Sequence, residues 1–131
     1  AAPVTTMTLH ATGPVAAAEA WERYAVPARW PEWAPQIRRA ELPVARLAAG
    51  VRGRVYPLVG PGLPFVVDAV DEAARQWAWT VSLGPVSLRL THWVADGPDG
   101  GSTTGLRVAG PAPLVLGYAP LAHLAIGRLV R

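Results

Sequence analysis

The chain of 131 residues contains no cysteine. That removes disulfides and thiolate metal sites, and it agrees with a reducing compartment. Lysine is absent too. All 12 basic residues are Arg, so the pI of about 10.2 reflects a base that does not titrate near neutrality, and the net charge is only +3. Charged residues make up 16% of the chain, against roughly a quarter in an average domain. Such low charge fits a surface covered by a partner or ligand, an apolar cavity whose walls count as interior, or a compositional bias toward Ala, Gly, Pro, Val and Arg of the kind a GC-rich genome produces. The arginines form no stripe. Arg38-Arg39 and Arg52/Arg54 are the densest places and carboxylates lie nearby, which argues against a nucleic-acid partner. The start, AAPVTTMTLHATG, lacks the basic opening and apolar run of a signal peptide. The longest apolar run, Pro113 to Gly127, contains Pro120 and His123 and falls short of the roughly 20 residues of a membrane span. These absences imply a soluble, cytoplasmic protein without a membrane span. His10, His92 and His123 lack ligand spacing, and GPGLPF at 60–65 lacks the Lys-Ser/Thr of a phosphate loop. Neither a metal nor a cofactor is therefore expected.

What is present is a sequence of strands framed by helices. Val4 to His10, rich in Thr and Val, reads as a strand. Thr12-Gly13-Pro14 then opens a helix, VAAAEAWERYA, which Pro27 stops. Residues 28 to 36 hold one short helical turn between prolines. Strands follow at Ile37–Pro43, Gly50–Leu58, Phe65–Val70, Arg75–Leu83, Val86–Val94 and Thr103–Ala109. A C-terminal helix starts near Pro113, and Pro120 must bend or split it. Strands in this succession pair as an antiparallel meander whose one apolar face needs cover, and the last helix supplies it. The expected architecture is one α+β domain over residues 1–131. Its curved antiparallel sheet of about six or seven strands, with two short N-terminal helices, wraps around a C-terminal helix. That helix is apolar nearly all round, so its second side suits a second copy of the chain in a homodimer.

Two groups of residues stand out on this frame. Trp30 and Trp33 sit three apart among prolines. One reading makes them plugs at the edge of the core; the other makes them the apolar underside of a short lid over a ligand. If Gly84-Pro85 is a two-residue hairpin link, Trp77 lies opposite His92 and Trp79 opposite Leu90, all on the inward face. His92 is then either a hydrogen-bonded core histidine or a polar ligand contact and candidate acid–base.

The stretches WERYAVPARWPEWAP, GPVSLRLTHW at 84–93 and GGSTTGLRV at 100–108, taken with the element order, resemble the START/Bet v 1-like superfamily. The bacterial polyketide cyclase/dehydrase group is the most similar part of it. The resemblance implies a helix-grip fold with an apolar cavity between sheet and C-terminal helix. It also implies that Trp30 lines the cavity mouth and that Trp93 faces the cavity, which conflicts with an inward His92 on a regular strand. The aromatase/cyclase group uses a strand Arg and a Tyr as acid groups, and here Ala69 and Ile37 stand at those positions. The expected function is binding of a small hydrophobic or aromatic molecule, polyketide- or lipid-like, by Trp30, Trp33, Tyr56, Phe65, Trp77, Trp79, Leu90, His92 and Tyr118. The alternatives are a cyclase, aromatase or dehydratase acting through His92 with Asp68 or Tyr56, and an interaction module with a filled core. A cavity of roughly 300 Å³ or more separates the last from the others.

Overall fold

The computed structural model describes residues 4–131. Seven strands form one antiparallel sheet in the order β1-β7-β6-β5-β4-β3-β2. They are β1 (Val4–Gly13), β2 (Ile37–Glu41), β3 (Arg52–Pro57), β4 (Leu63–Asp71), β5 (Gln76–Leu83), β6 (Val86–Asp96) and β7 (Ser102–Pro111). Helices α1 (Ala17–Ala25) and α2 (Trp30–Trp33) lie between β1 and β2, and α3 (Ala112–Leu129) follows β7. From β3 onward every strand pairs with its predecessor, β2 is one edge of the sheet, and β1 crosses over to pair with β7.

The central hairpin has the register that side-chain alternation requires: Trp77 opposes His92 and Trp79 opposes Leu90. Gly84, at φ +65°, supplies the first residue of its two-residue turn. Pairing of β6 with β5 and β7 is unbroken through His92 and Trp93. His92 is therefore buried on the concave face, while Trp93 lies on the convex side with its ring 5.8 Å from that of His10. The inward Trp93 implied by family resemblance is corrected by this regular pleat. Gly105 belongs to the same arrangement, because a Cβ there would stand 2.0 Å from the Trp93 ring.

The first helix starts later than its sequence suggests. β1 stays paired with β7 as far as Gly13↔Ser102, so Pro14 falls in the link and the helix begins at Ala17. Of the two outcomes expected at Pro120, a bend or a split, the C-terminal helix is not split. It is one helix that runs through Pro120. At 18 residues and a mean hydropathy of 1.2, it is long and apolar enough to cross a membrane by length and composition, which the shorter run read from the sequence was not. In the fold it packs across β1 and β7. A stripe of Val115, Ala122, Ala125, Ile126 and Leu129 is buried. Leu116 and Leu124 on its other side remain 57% and 50% exposed, and Leu121, between the two sides, 45%.

Candidate functional site

The concave face has two unlike halves. One is filled by rings. Helix α1 sends Tyr24 inward, α2 sends Trp30 and Trp33, and the sheet contributes Trp77, His92 and Phe65. Trp77 stacks on His92 with centroids 4.6 Å apart and planes at 9°, and Trp30 stacks on Trp77 at 5.6 Å. Tyr24 meets His92 edge-on at 4.8 Å and Trp33 at 5.2 Å. Close offset and edge-on pairs of this kind add to what burial alone contributes.

The indoles also do polar work. Trp30 Nε1 donates to the Tyr24 carbonyl at 2.9 Å, and Trp33 Nε1 donates to the Arg23 carbonyl at 3.0 Å. Both acceptors lie in the last turn of α1, where carbonyls lose their helical partners. Pro27 ends the helix, and the two tryptophans that follow satisfy the carbonyls this exposes. Trp30 is thus a core plug, and its placement departs from the cavity-mouth position the resemblance implied. Arg23 completes the corner by donating to the Leu129 carbonyl at the end of α3, at 2.8 Å, where the helix dipole favours a cation.

The other half is hollow. A cavity of about 240 Å³ lies between β2–β6 and the N-terminal half of α3. Its sheet wall is aliphatic: Ile37 from β2, Val55 from β3, Val81 and Leu83 from β5, Leu88 and Leu90 from β6. Trp79 closes it toward the ring-filled half, and Tyr118 and Leu121 cover it from α3. No charged residue lines it. Its polar side chains are Trp79, Gln36 and Tyr118. Trp79 Nε1 is already committed to His92 Nε2 at 3.1 Å. Gln36 Nε2 donates to the Tyr118 hydroxyl at 3.0 Å, and Gln36 Oε1 is buried without a partner. Burial pushes the Tyr118 pKa upward, with the Gln36 hydrogen bond opposing, so the phenol keeps its proton.

Of the residues singled out from sequence, Trp79, Leu90 and Tyr118 therefore line the cavity. Trp30, Trp33, Phe65, Trp77 and His92 belong to the packed half instead. Tyr56 is on the convex face, since alternation along β3 gives the inward position to its neighbour Val55; its ring lies under the Arg39 guanidinium at 4.1 Å. Sequence reasoning did not select Gln36, Ile37, Val55, Leu63, Val81, Leu83, Leu88 or Leu121. Aromatic residues drew attention, whereas aliphatic positions of the same alternation form the wall. The inward phase of each strand could have marked those on strands; Gln36, before β2, and Leu121, on α3, carried no such signal.

His92 takes a defined chemical state. Burial pushes its pKa down to about 3. It is neutral at physiological pH, with Nε2 accepting from Trp79 and the proton on Nδ1. Asp68 and Tyr56 do not converge on it. Asp68 is exposed at the β4 bulge between Val67 and Ala69 and accepts from Thr80 Oγ1 at 2.6 Å. Among the described residues, no group of three His, Asp or Glu could hold a metal ion.

Residues 4–131 match the family described as polyketide cyclase / dehydrase and lipid transport. The chain belongs to that family. Its fold is the START/Bet v 1-like helix grip. The solved structure of Ara h 8.0201 superposes with a TM-score of 0.72 at 18% identity, over 97% of this chain and 98% of that one. At that identity the likeness concerns fold alone. No curated protein matches the chain by sequence.

Proposed function

We propose that the chain is a single ligand-binding domain which holds one small apolar molecule between its sheet and α3. The observation that carries this reading is the contrast within one concave face: rings pack one half fully, while a 240 Å³ void persists in the other. The pocket opens to solvent on one side and its wall is almost wholly apolar, so an apolar molecule is a better occupant than water. An engineered cavity of ~150 Å³ lined by Leu, Ile and Phe stays dry and takes benzene. The present one suits a molecule somewhat larger, of one substituted ring or a short chain. It is smaller than the ~300–1,000 Å³ common for drug-sized ligands, which disfavours an intact polycyclic polyketide.

The family description joins cyclisation, dehydration and lipid transport. Holding without turnover fits this chain best, because the acid–base candidates do not meet in the cavity. A general acid–base works best with a pKa near the operating pH, and His92 lies well below it behind Trp79. At about 240 Å³ the pocket falls short of the roughly 300 Å³ that would set an interaction module apart, and what weighs against a filled core is the unfilled half of the concave face itself. Self-association is a separate proposal that rests on the exposed Leu116 and Leu124 of α3; sedimentation of wild type against Leu124→Glu tests it.

Native mass spectrometry of protein purified from its own host tests the binding reading. The expected result is one small apolar molecule per chain, lost in a Val81→Trp variant that fills the cavity. A ligand-free protein that also fails to take up added 4-ethyltoluene would overturn it.

A further inference from the structure

The cavity wall is apolar except at one place, where Gln36 and Tyr118 meet. Gln36 precedes β2 and Tyr118 lies on α3, so the pair closes the gap between the first short helices and the last long one. The amide donates through Nε2 to the phenol oxygen at 3.0 Å. That leaves Gln36 Oε1, buried and without a partner, as a free acceptor. It also leaves the Tyr118 proton free to be given. Turning the amide over exchanges the roles, and the pair still offers one donor and one acceptor. A buried acceptor left unpaired costs stability; Trp77 Nε1 and His92 Nδ1 are also unpaired but belong to the ring-filled half, whereas Gln36 is at the cavity.

We propose that Gln36 and Tyr118 form the polar subsite of the cavity and select an apolar molecule bearing one neutral hydroxyl. A hydroxyl both donates, to Gln36 Oε1, and accepts, from the Tyr118 O–H. The match to a neutral group follows from the lining, which holds no cation to neutralise a carboxylate or phosphate and no carboxylate to receive an amine. The subsite rests on the binding reading above and narrows its ligand to phenols and alcohols.

The test compares two probes of one shape, 4-ethylphenol and 4-ethyltoluene, by isothermal titration calorimetry against wild type, Tyr118→Phe and Gln36→Leu. The readout is the ratio of the two affinities in each protein, which a general loss of packing does not move. The expected result is that each variant shifts the ratio about tenfold toward the hydrocarbon while still binding 4-ethyltoluene. Thermal denaturation confirms that the variants are folded, and Tyr118→Phe, which removes one oxygen, serves if Gln36→Leu is unstable. An unchanged ratio in Tyr118→Phe, with 4-ethyltoluene bound, overturns the subsite and leaves the cavity reading intact. Failure of wild type to bind either probe overturns both.

Discussion

The two halves of the concave face use the same sheet and differ in what lies across from it. Over β5–β6 at the Trp77–His92 level, α1 and α2 deliver three large rings in ten residues, Tyr24, Trp30 and Trp33, and the space closes. At the Val81–Leu88 level, the facing element is α3, which offers Tyr118 and Leu121, and the space stays open. Both halves are hydrophobic and both alternate in phase with the pleat. Hydrophobicity thus does not distinguish a core from a binding site here; the number of large rings delivered from across the sheet does.

The largest expected effect breaks the packed half. Trp30→Ala removes a fully buried indole and leaves the Tyr24 carbonyl without its donor. A loss of about 3–5 kcal/mol in urea denaturation is expected. A small loss combined with altered ligand affinity would instead make Trp30 a lid residue and dissolve the contrast. Next comes small-to-large substitution in each half. Val67→Leu, at a fully buried position outside the cavity, should cost about 1–3 kcal/mol. Val81→Leu points into the void and should be neutral or stabilise by about 0.5–1 kcal/mol. Equal costs would mean that the void is not there in solution.

The pH dependence sharpens the comparison from the buried histidine. The unfolded chain takes up a proton on His92 near pH 6.5, the native state only near 3. Its contribution is therefore complete above 6.5 and is lost as pH falls toward 3, by up to about 1.4 kcal/mol per unit. Denaturation between pH 6.5 and 5 reads this above the carboxylate range. His92→Phe should flatten the slope, and an unaltered slope would place the titration elsewhere. The smallest effect belongs to the surface. Arg46 bridges Glu22 and Glu72, with all three side chains substantially exposed, so Arg46→Ala should cost no more than about 1 kcal/mol and leave both halves unchanged.

Much of this fold was legible because its signals are local. Trp77, Trp79, Val81 and Leu83 alternate with polar or small residues, and Gly84-Pro85 fixes the turn, so the register of the central hairpin followed from spacing alone. Element ends were less so: Pro14 looks like a helix opener until β7 is seen to hold β1 as far as Gly13. The site was only partly legible. Alternation placed Trp77, Trp79, Leu90 and His92 on one face, but position along that face decides between core and cavity. This depends on where α1, α2 and α3 cross the sheet, a long-range outcome that no short motif carries. The Gln36–Tyr118 contact spans 82 residues of sequence and had no signal at the Gln36 end.

The most direct test of the hollow half is a methyl and indole NMR titration with 4-ethyltoluene. Shifts are expected in the methyls of Val81, Leu88, Leu90 and Leu121, with the indole N–H signals of Trp30 and Trp33 unmoved. Shifts centred on those indoles, or none in the four aliphatic residues at saturating probe, would contradict the hollow-half reading.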